Sequence, residues 1–293
     1  MTDSKGEKNS IERVIELAEK SDISSIKSIV SGIIEIINNP KSTAKDLKEL
    51  INADPPLTAK VLKVSNSAYY GGRGRISDIE QAVIWIGFDT LKEIALSQKV
   101  CELFQKEETI NGYSRPLLWR HCIAVALLCR LMYRMEFGER GENAYAAGLL
   151  HDIGIILEDQ FLQNDFRRIL TLYKTEGRNL FSAEDEVLGY NHAQLGRTLA
   201  SRWNFPGDLV HAIGEHHTPA RAPAQYERIT LTTYVSDYLC QQSAAGFCDA
   251  PHPDKKLFEE SLKLLGFHAL SVEIIVKEMT EELNAISERG FFE

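Results

Sequence analysis

The sequence predicts an all-α protein, and three observations carry that expectation. Apolar residues recur at three- and four-residue spacing along most of the 293 residues, strand-like alternation is scarce, and capping residues and prolines interrupt the pattern at helix-length intervals.

The elements follow in order. Residues 1–11 are polar and read as a flexible N-terminus, and the first helical run covers 12–20. The second, 24–37, sets Ile26, Ile29, Ile33, Ile34 and Ile37 on one face and stops at Asn38, Asn39 and Pro40. Ser42 and Thr43 open a third, with Asp46 in capping-box position. Asp54, Pro55 and Pro56 break the chain and start Leu57 to Ala68, which ends in a loop at Tyr69–Gly72. Ser77 starts a helix through Ile86, Gly87 breaks it, and Asp89 caps a helix to Phe104.

Residues 105–116 form the expected boundary, dividing an N-terminal helical part (12–110) from a second helical part (114–290). Leu117 to Met135 is apolar on nearly all sides and is expected to be central. After a loop at 138–143, a helix through Leu150 presents His151 and Asp152 near its C-terminal end, where Gly154 permits termination. Ser182 caps a short helix with Asp185 at its third position, and His192 opens a helix to Trp203. Pro206 starts another that ends in His216 and His217, 218–224 is a loop, and Asp237 lies on the helix that follows. Ser271 to Ile286 is amphipathic and is expected to pack back on the body.

Composition bounds the function. The chain is 44% hydrophobic and 26% charged, ordinary for a globular protein. Its formal net charge of −9 offers nucleic acid no global positive field, so no nucleic-acid partner is expected, and the short basic patch of Arg73 and Arg75 reads as a solvated loop. Five cysteines, three of them in apolar helical runs and none paired at metal-ligand spacing, suit a reducing compartment. The N-terminus has no apolar core of a signal peptide, and the longest apolar run, Cys122 to Cys129, is too short to span a bilayer. The expectation is a cytoplasmic protein with no membrane partner.

The chemistry concentrates in five of the eight histidines and two aspartates: His121, the pair His151 and Asp152, His192, the pair His216 and His217, and Asp237. His211 falls outside the pattern. A lone histidine on an apolar face is usually structural, satisfied by a hydrogen bond. Here five segments carry such groups, and burying them unpaired would be costly. A shared divalent ion would satisfy them together, and imidazole with carboxylate suits a first-row transition metal. Neighbouring residues on a helix point roughly 100° apart, so each member of a pair can serve a different metal. That suggests two metals bridged by Asp152 and a water, able to clamp a phosphate.

With these residues in view the chain resembles a known group. His151 to Gly154 is similar to the signature of the HD phosphohydrolase superfamily, and the wider match is to its regulatory HDOD branch in bacterial signalling. Asp54 to Gly71 and Ile79 to Gly87 resemble the N-terminal HDOD motifs. Leu118 to His121, Glu186 to Gly196, Trp203 to Pro206 and Glu215 to His217 follow in family order, so the resemblance covers roughly residues 20–245.

The resemblance implies an HD-domain-like helical bundle preceded by an N-terminal helical subdomain, and a signalling role. Many HDOD members lack the HD ligands; this chain retains a pattern similar to the dinuclear site of HD-GYP phosphodiesterases of cyclic di-GMP. Carried over, His121, His151, Asp152 and Asp237 hold one ion and Asp152, His192, His216 and His217 the other. The expected ions would be two divalent transition metals, iron or manganese first, nickel or zinc as alternatives. Three departures weigh on activity: Leu117 in place of a glutamate, Ile155 in place of a lysine, and Thr218 to Pro223 in place of a Gly-Tyr-Pro motif. Arg120, Lys174, Arg178, Arg197 and Arg202 are candidate phosphate contacts.

Three readings stay open. The first is a signalling protein that binds a metal pair, with other signalling proteins or a small phosphorylated or nucleotide ligand as its partner. The second is a metal-dependent phosphohydrolase or phosphodiesterase on a nucleotide, with Asp152 catalytic. The third is a scaffold whose histidines are relics. The Ser65–Gly71 motif reads as a helix-ending turn that docks the N-terminal helices onto the second part.

Overall fold

The computed structural model describes residues 4–67, 70, 76–106, 108–250 and 254–287, with side chains from residue 10 onward. The fold is all-α. The N-terminal half comprises α1 (Ser4–Glu19), α2 (Ile23–Asn38), α3 (Ala44–Asn52), α4 (Pro55–Ser65), α5 (Ile79–Ile86) and α6 (Phe88–Val100). The second half comprises α7 (Arg115–Glu136), α8 (Glu142–Leu150), α9 (Ile153–Phe161), α10 (Gln163–Glu176), α11 (Leu180–Leu188), α12 (His192–Arg202), α13 (Gly207–Glu215), α14 (Glu227–Gln242), α15 (Lys255–Leu264) and α16 (Ala269–Ser287).

Local chemistry sets several boundaries as the sequence suggests. Thr43 and Asp46 form the capping box of α3. Asp54 accepts from the Leu57 amide at the start of α4, with Pro55 in the first turn. Other boundaries differ. Residues 4–11, expected to be flexible, form the first turns of α1. Once Val14, Ile15 and Ala18 are buried, each further helical residue gains a hydrogen bond without a new nucleation cost. Asn179, rather than Ser182, precedes α11; the Ser182 hydroxyl donates to the Asn179 carbonyl inside the first turn. Asp78, rather than Ser77, caps α5, and α6 starts at Phe88 directly after Gly87.

The boundary at 105–116 is more ordered than a linker. Thr109–Ile110 (β1) pairs antiparallel with Tyr113–Ser114 (β2). Asn111 and Gly112 both adopt positive φ, 50° and 94°, the backbone a two-residue hairpin loop requires. Two-residue strands are too short to show an alternating pattern.

α7 is the spine. It is long and apolar enough to cross a membrane by length and composition, a window wider than the Cys122–Cys129 run, and 83% of that window is buried among its neighbours. α8 packs closely on it because Gly148 has no side chain: a Cβ there would press on the Ala126 backbone. One buried apolar cluster runs from Val14 to Leu283 and spans both halves. Ion pairs stitch them through α6, Lys92 to Glu142 at 2.9 Å and Arg130 to Glu93 at 2.5 Å, while Lys99 to Asp54 at 2.6 Å ties α6 to the start of α4 within the N-terminal half. α1 contacts α9 and α12, so the first helix packs on the second half.

In the Ser65–Gly71 motif, the Asn66 side chain donates to the Ile76 carbonyl and accepts from the Ile76 amide, both at 2.8 Å, tying the end of α4 to the segment that leads into α5, within the N-terminal half. Residues 68, 69 and 71–75, including Arg73 and Arg75, lie outside the described residues.

Candidate metal centre

Five helix ends or faces and one loop converge beside α7. His121 sits two turns into α7 with its ring buried. α8 ends at Leu150 and α9 begins at Ile153, so His151 and Asp152 form the corner between them, fully buried. Gly154 does not terminate a helix; it is the second residue of α9, and a Cβ on it would overlap the carbonyl of His192. Its bare backbone lets α9 lie against the first turn of α12, which brings Asp152 to His192. A capping box of Asn191 and Gln194 fixes that turn. His216 and His217 follow the last residue of α13, and Asp237 faces inward from α14.

All seven sequence-selected residues fall in one cluster, and Asp152 lies at its centre. Its Oδ2 is 3.2 Å from His151 Nε2 and 3.7 Å from His121 Nε2. Its Oδ1 is 3.4 Å from His192 Nε2 and 3.5 Å from His216 Nε2. On the first side, His121 Nε2 also lies 3.1 Å from Asp237 Oδ1 and 3.3 Å from His151 Nε2. On the second, His192 Nε2 is 3.3 Å from His216 Nε2 and 2.9 Å from His217 Nε2.

Three of the rings are held by their other nitrogen. His151 Nδ1 lies 2.8 Å from the Gly148 carbonyl and His216 Nδ1 2.7 Å from the Ile213 carbonyl. His192 Nδ1 lies 2.8 and 3.0 Å from the two Glu184 oxygens. Each of these partners only accepts, so each Nδ1 donates and each Nε2 is directed inward. Both Asp152 oxygens are buried with no hydrogen-bond partner among the described residues. Three Nε2 atoms crowd together on the second side, and one proton can lie between only two of them. The donor set therefore fits cations bound on both sides of Asp152.

The charges respond accordingly. Burial opposes ionisation of Asp152, but His151 beside it and contacts with His192 and His216 hold the carboxyl well below its usual range. Burial works against a charged His151, and Asp152 outweighs it, raising the imidazole to about 9. Burial and the neighbouring His217 push His216 down to about 4. Burial opposes the Asp237 charge, and His121 holds that carboxyl down to about 2. Cys122 lies beside His151 and Asp152, but burial and the Asp152 charge raise its thiol well above the usual range, so it stays neutral.

Sequence reasoning missed three residues. Asp249, buried between α14 and α15, puts Oδ2 3.1 Å from His217 Nε2 and 3.9 Å from His192 Nε2. Gln241 Nε2 donates to Asp249 Oδ1 at 2.6 Å and to Asp237 Oδ1 at 2.8 Å, fixing one carboxylate from each side. Glu184 orients His192. Asp249 sits in a stretch without periodicity, so only its closeness to Asp237 in sequence hinted at it. His211 stays outside, paired with Glu215 at 3.0 Å and stacked on Tyr226.

A cavity of about 150 Å³ reaches the centre from outside, bordered by His217, Asp237, Gln241, Phe181, Tyr238 and Asp254. None of the expected phosphate contacts borders it. Arg120 donates to Ser287, Arg178 pairs with Glu176 and Glu186, Arg197 with Glu215, and Arg202 with Glu12. Ile155 is fully buried in the core and Leu117 is 40% exposed. Thr218 to Pro223 holds a short 3-10 turn at Pro219–Arg221.

Known proteins share this architecture. An HDOD domain protein of unknown function from Geobacter sulfurreducens superposes with a TM-score of 0.74 at 27% identity, over 88% of this chain and 90% of that one. A structure from Marinobacter aquaeolei VT8, provisionally named a signal transduction protein, superposes with a TM-score of 0.80 at 20% identity, over 98% of this chain and 66% of that one, a likeness of fold alone. An uncharacterised protein of Treponema pallidum is 26% identical over 72% of this chain, which spans 41% of that relative's length. Ribonuclease Y of Desulfotalea psychrophila is 33% identical over 36% of this chain, a match that takes in 15% of the enzyme. Residues 23–219 match the HDOD domain, and the chain belongs to the HDOD family.

Proposed function

We propose that this chain is a cytoplasmic bacterial signalling protein whose HD site holds two divalent transition metals, iron or manganese, with Asp152 between them. The observation that carries this reading is that both Asp152 oxygens are buried without hydrogen-bond partners among the described residues, one toward His121 and His151, the other toward His192 and His216. His121, His151 and Asp237 would complete one side; His192, His216, His217 and Asp249 the other. When bound, such a pair lowers the pKa of water and draws phosphate oxygens.

The chain's own residues favour a small ligand. Sites for drug-sized ligands usually measure about 300–1,000 Å³, and the cavity here is about 150 Å³. Asp237 and Asp254 border it and, among the described residues, no lysine or arginine does, so an anion would depend on bound cations. A small phosphorylated ligand fits these limits, with other signalling proteins as partners. The test is electron paramagnetic resonance of manganese-loaded protein. The reading expects an exchange-coupled pair that Asp152→Ala abolishes; isolated manganese signals in the parent chain would contradict it.

One observation favours phosphohydrolase activity as a second reading: the cavity reaches His217 and Asp237 directly. Slow turnover of generic phosphoesters, lost in His151→Ala, is its expected signature.

A further inference from the structure

Glu158 has no part in the ligand set, yet its placement calls for an explanation. It lies on α9 two turns after Asp152 and is fully buried, and among the described residues no donor gives a hydrogen bond to either carboxyl oxygen. An isolated buried carboxylate is among the costliest groups a fold can hold. Its neighbour is the Glu184 carboxyl of α11, also fully buried and within side-chain hydrogen-bonding reach. Glu184 is already committed, since its oxygens accept from the His192 amide at 2.9 Å and from His192 Nδ1 at 2.8 and 3.0 Å. Two carboxylates cannot donate to each other, and two adjacent buried negative charges repel.

We propose that Glu158 is a neutral carboxylic acid whose O–H donates to Glu184, making it a positioning residue that fixes the Glu184 carboxylate against His192. One proton then satisfies both buried groups. Burial and then the nearby Glu184 charge raise Glu158 well above the ordinary carboxyl range, in keeping with this placement. α9 thereby grips the centre twice, through Asp152 at its start and through a Glu158, Glu184 and His192 chain on its second turn. Partners behind a ligating histidine typically alter metal affinity about 10- to 100-fold when removed.

The inference rests on the metal-pair reading for its purpose, but one arm of its test needs no metal. Infrared difference spectra of the purified full chain against Glu158→Gln should show loss of one buried protonated-carboxyl band; no such loss overturns the inference whatever the metal content. In manganese titrations, Glu158→Gln, whose amide can still donate to Glu184, should stay within about threefold of the parent, while Glu158→Leu should weaken binding about tenfold. Equal losses in both variants would overturn the donor role and leave a packing role only. If Glu158→Leu does not fold, the infrared result and the retained affinity of Glu158→Gln still decide it.

Discussion

Gly154 lies so close to His192 that a β-carbon on it would overlap the His192 carbonyl oxygen and crowd its carbonyl carbon and Cα. The obstacle is backbone, which no rotamer change can move aside. α9 and α12 can meet only with glycine there, and that meeting brings Asp152 to His192.

Gly154→Ala should therefore destabilise the protein although alanine favours helices by about 1 kcal/mol. Overpacking typically costs about 1–3 kcal/mol, and here the shift must separate two helices. Chemical denaturation should report a loss in that range, with weaker metal binding. A stabilised Gly154→Ala would show that the two helices are not held this closely.

Asp152→Ala should be the most damaging single change for metal content, since both sides of the centre share that carboxylate. His217→Ala should cost less, because His192, His216 and Asp249 remain on its side. Retention of full metal content by Asp152→Ala, with loss in His192→Ala, would contradict the bridging role.

Gln241→Leu should free Asp249 and Asp237 from their shared donor. Affinity for the more weakly held ion should fall about tenfold, read by competition with a chelating dye, while the melting temperature changes little. An unchanged affinity would remove Gln241 from the account.

Metal binding should strengthen with pH. His151, raised to about 9 by Asp152 against the effect of burial, carries a proton at neutral pH when no metal competes. That proton stabilises the metal-free fold fully below about pH 6.5, the ordinary histidine value, and the contribution is lost as pH rises through about 9. Binding needs the free nitrogen, so apparent affinity should rise about tenfold per pH unit from 7 towards 9. Calorimetry in buffers of different ionisation enthalpy should register proton release; no release would contradict this proton placement.

Much of the architecture was legible in the sequence because breakers and caps state themselves locally. Thr43 with Asp46, and Asp54 with Pro55, mark helix starts by chemistry confined to one turn. The histidines stood out because imidazoles on apolar faces need partners. What stayed hidden depends on distant contacts. Gly154 reads as a helix stop until the His192 backbone is seen against it. Nothing in the local sequence marks Glu158 and Asp159 for burial, yet one is buried beside Glu184 and the other pairs with Arg115 at 2.5 Å. Asp249 lies outside any periodic segment, so no face assigned it inward.

Elemental analysis of the full chain, purified without chelator or nickel affinity and reconstituted with iron and manganese, tests the metal pair most directly. The donor set around Asp152 predicts about two transition-metal ions per chain, the count of a bridged pair. Far less than one ion per chain would contradict it and leave the converging histidines as relics of a lost site.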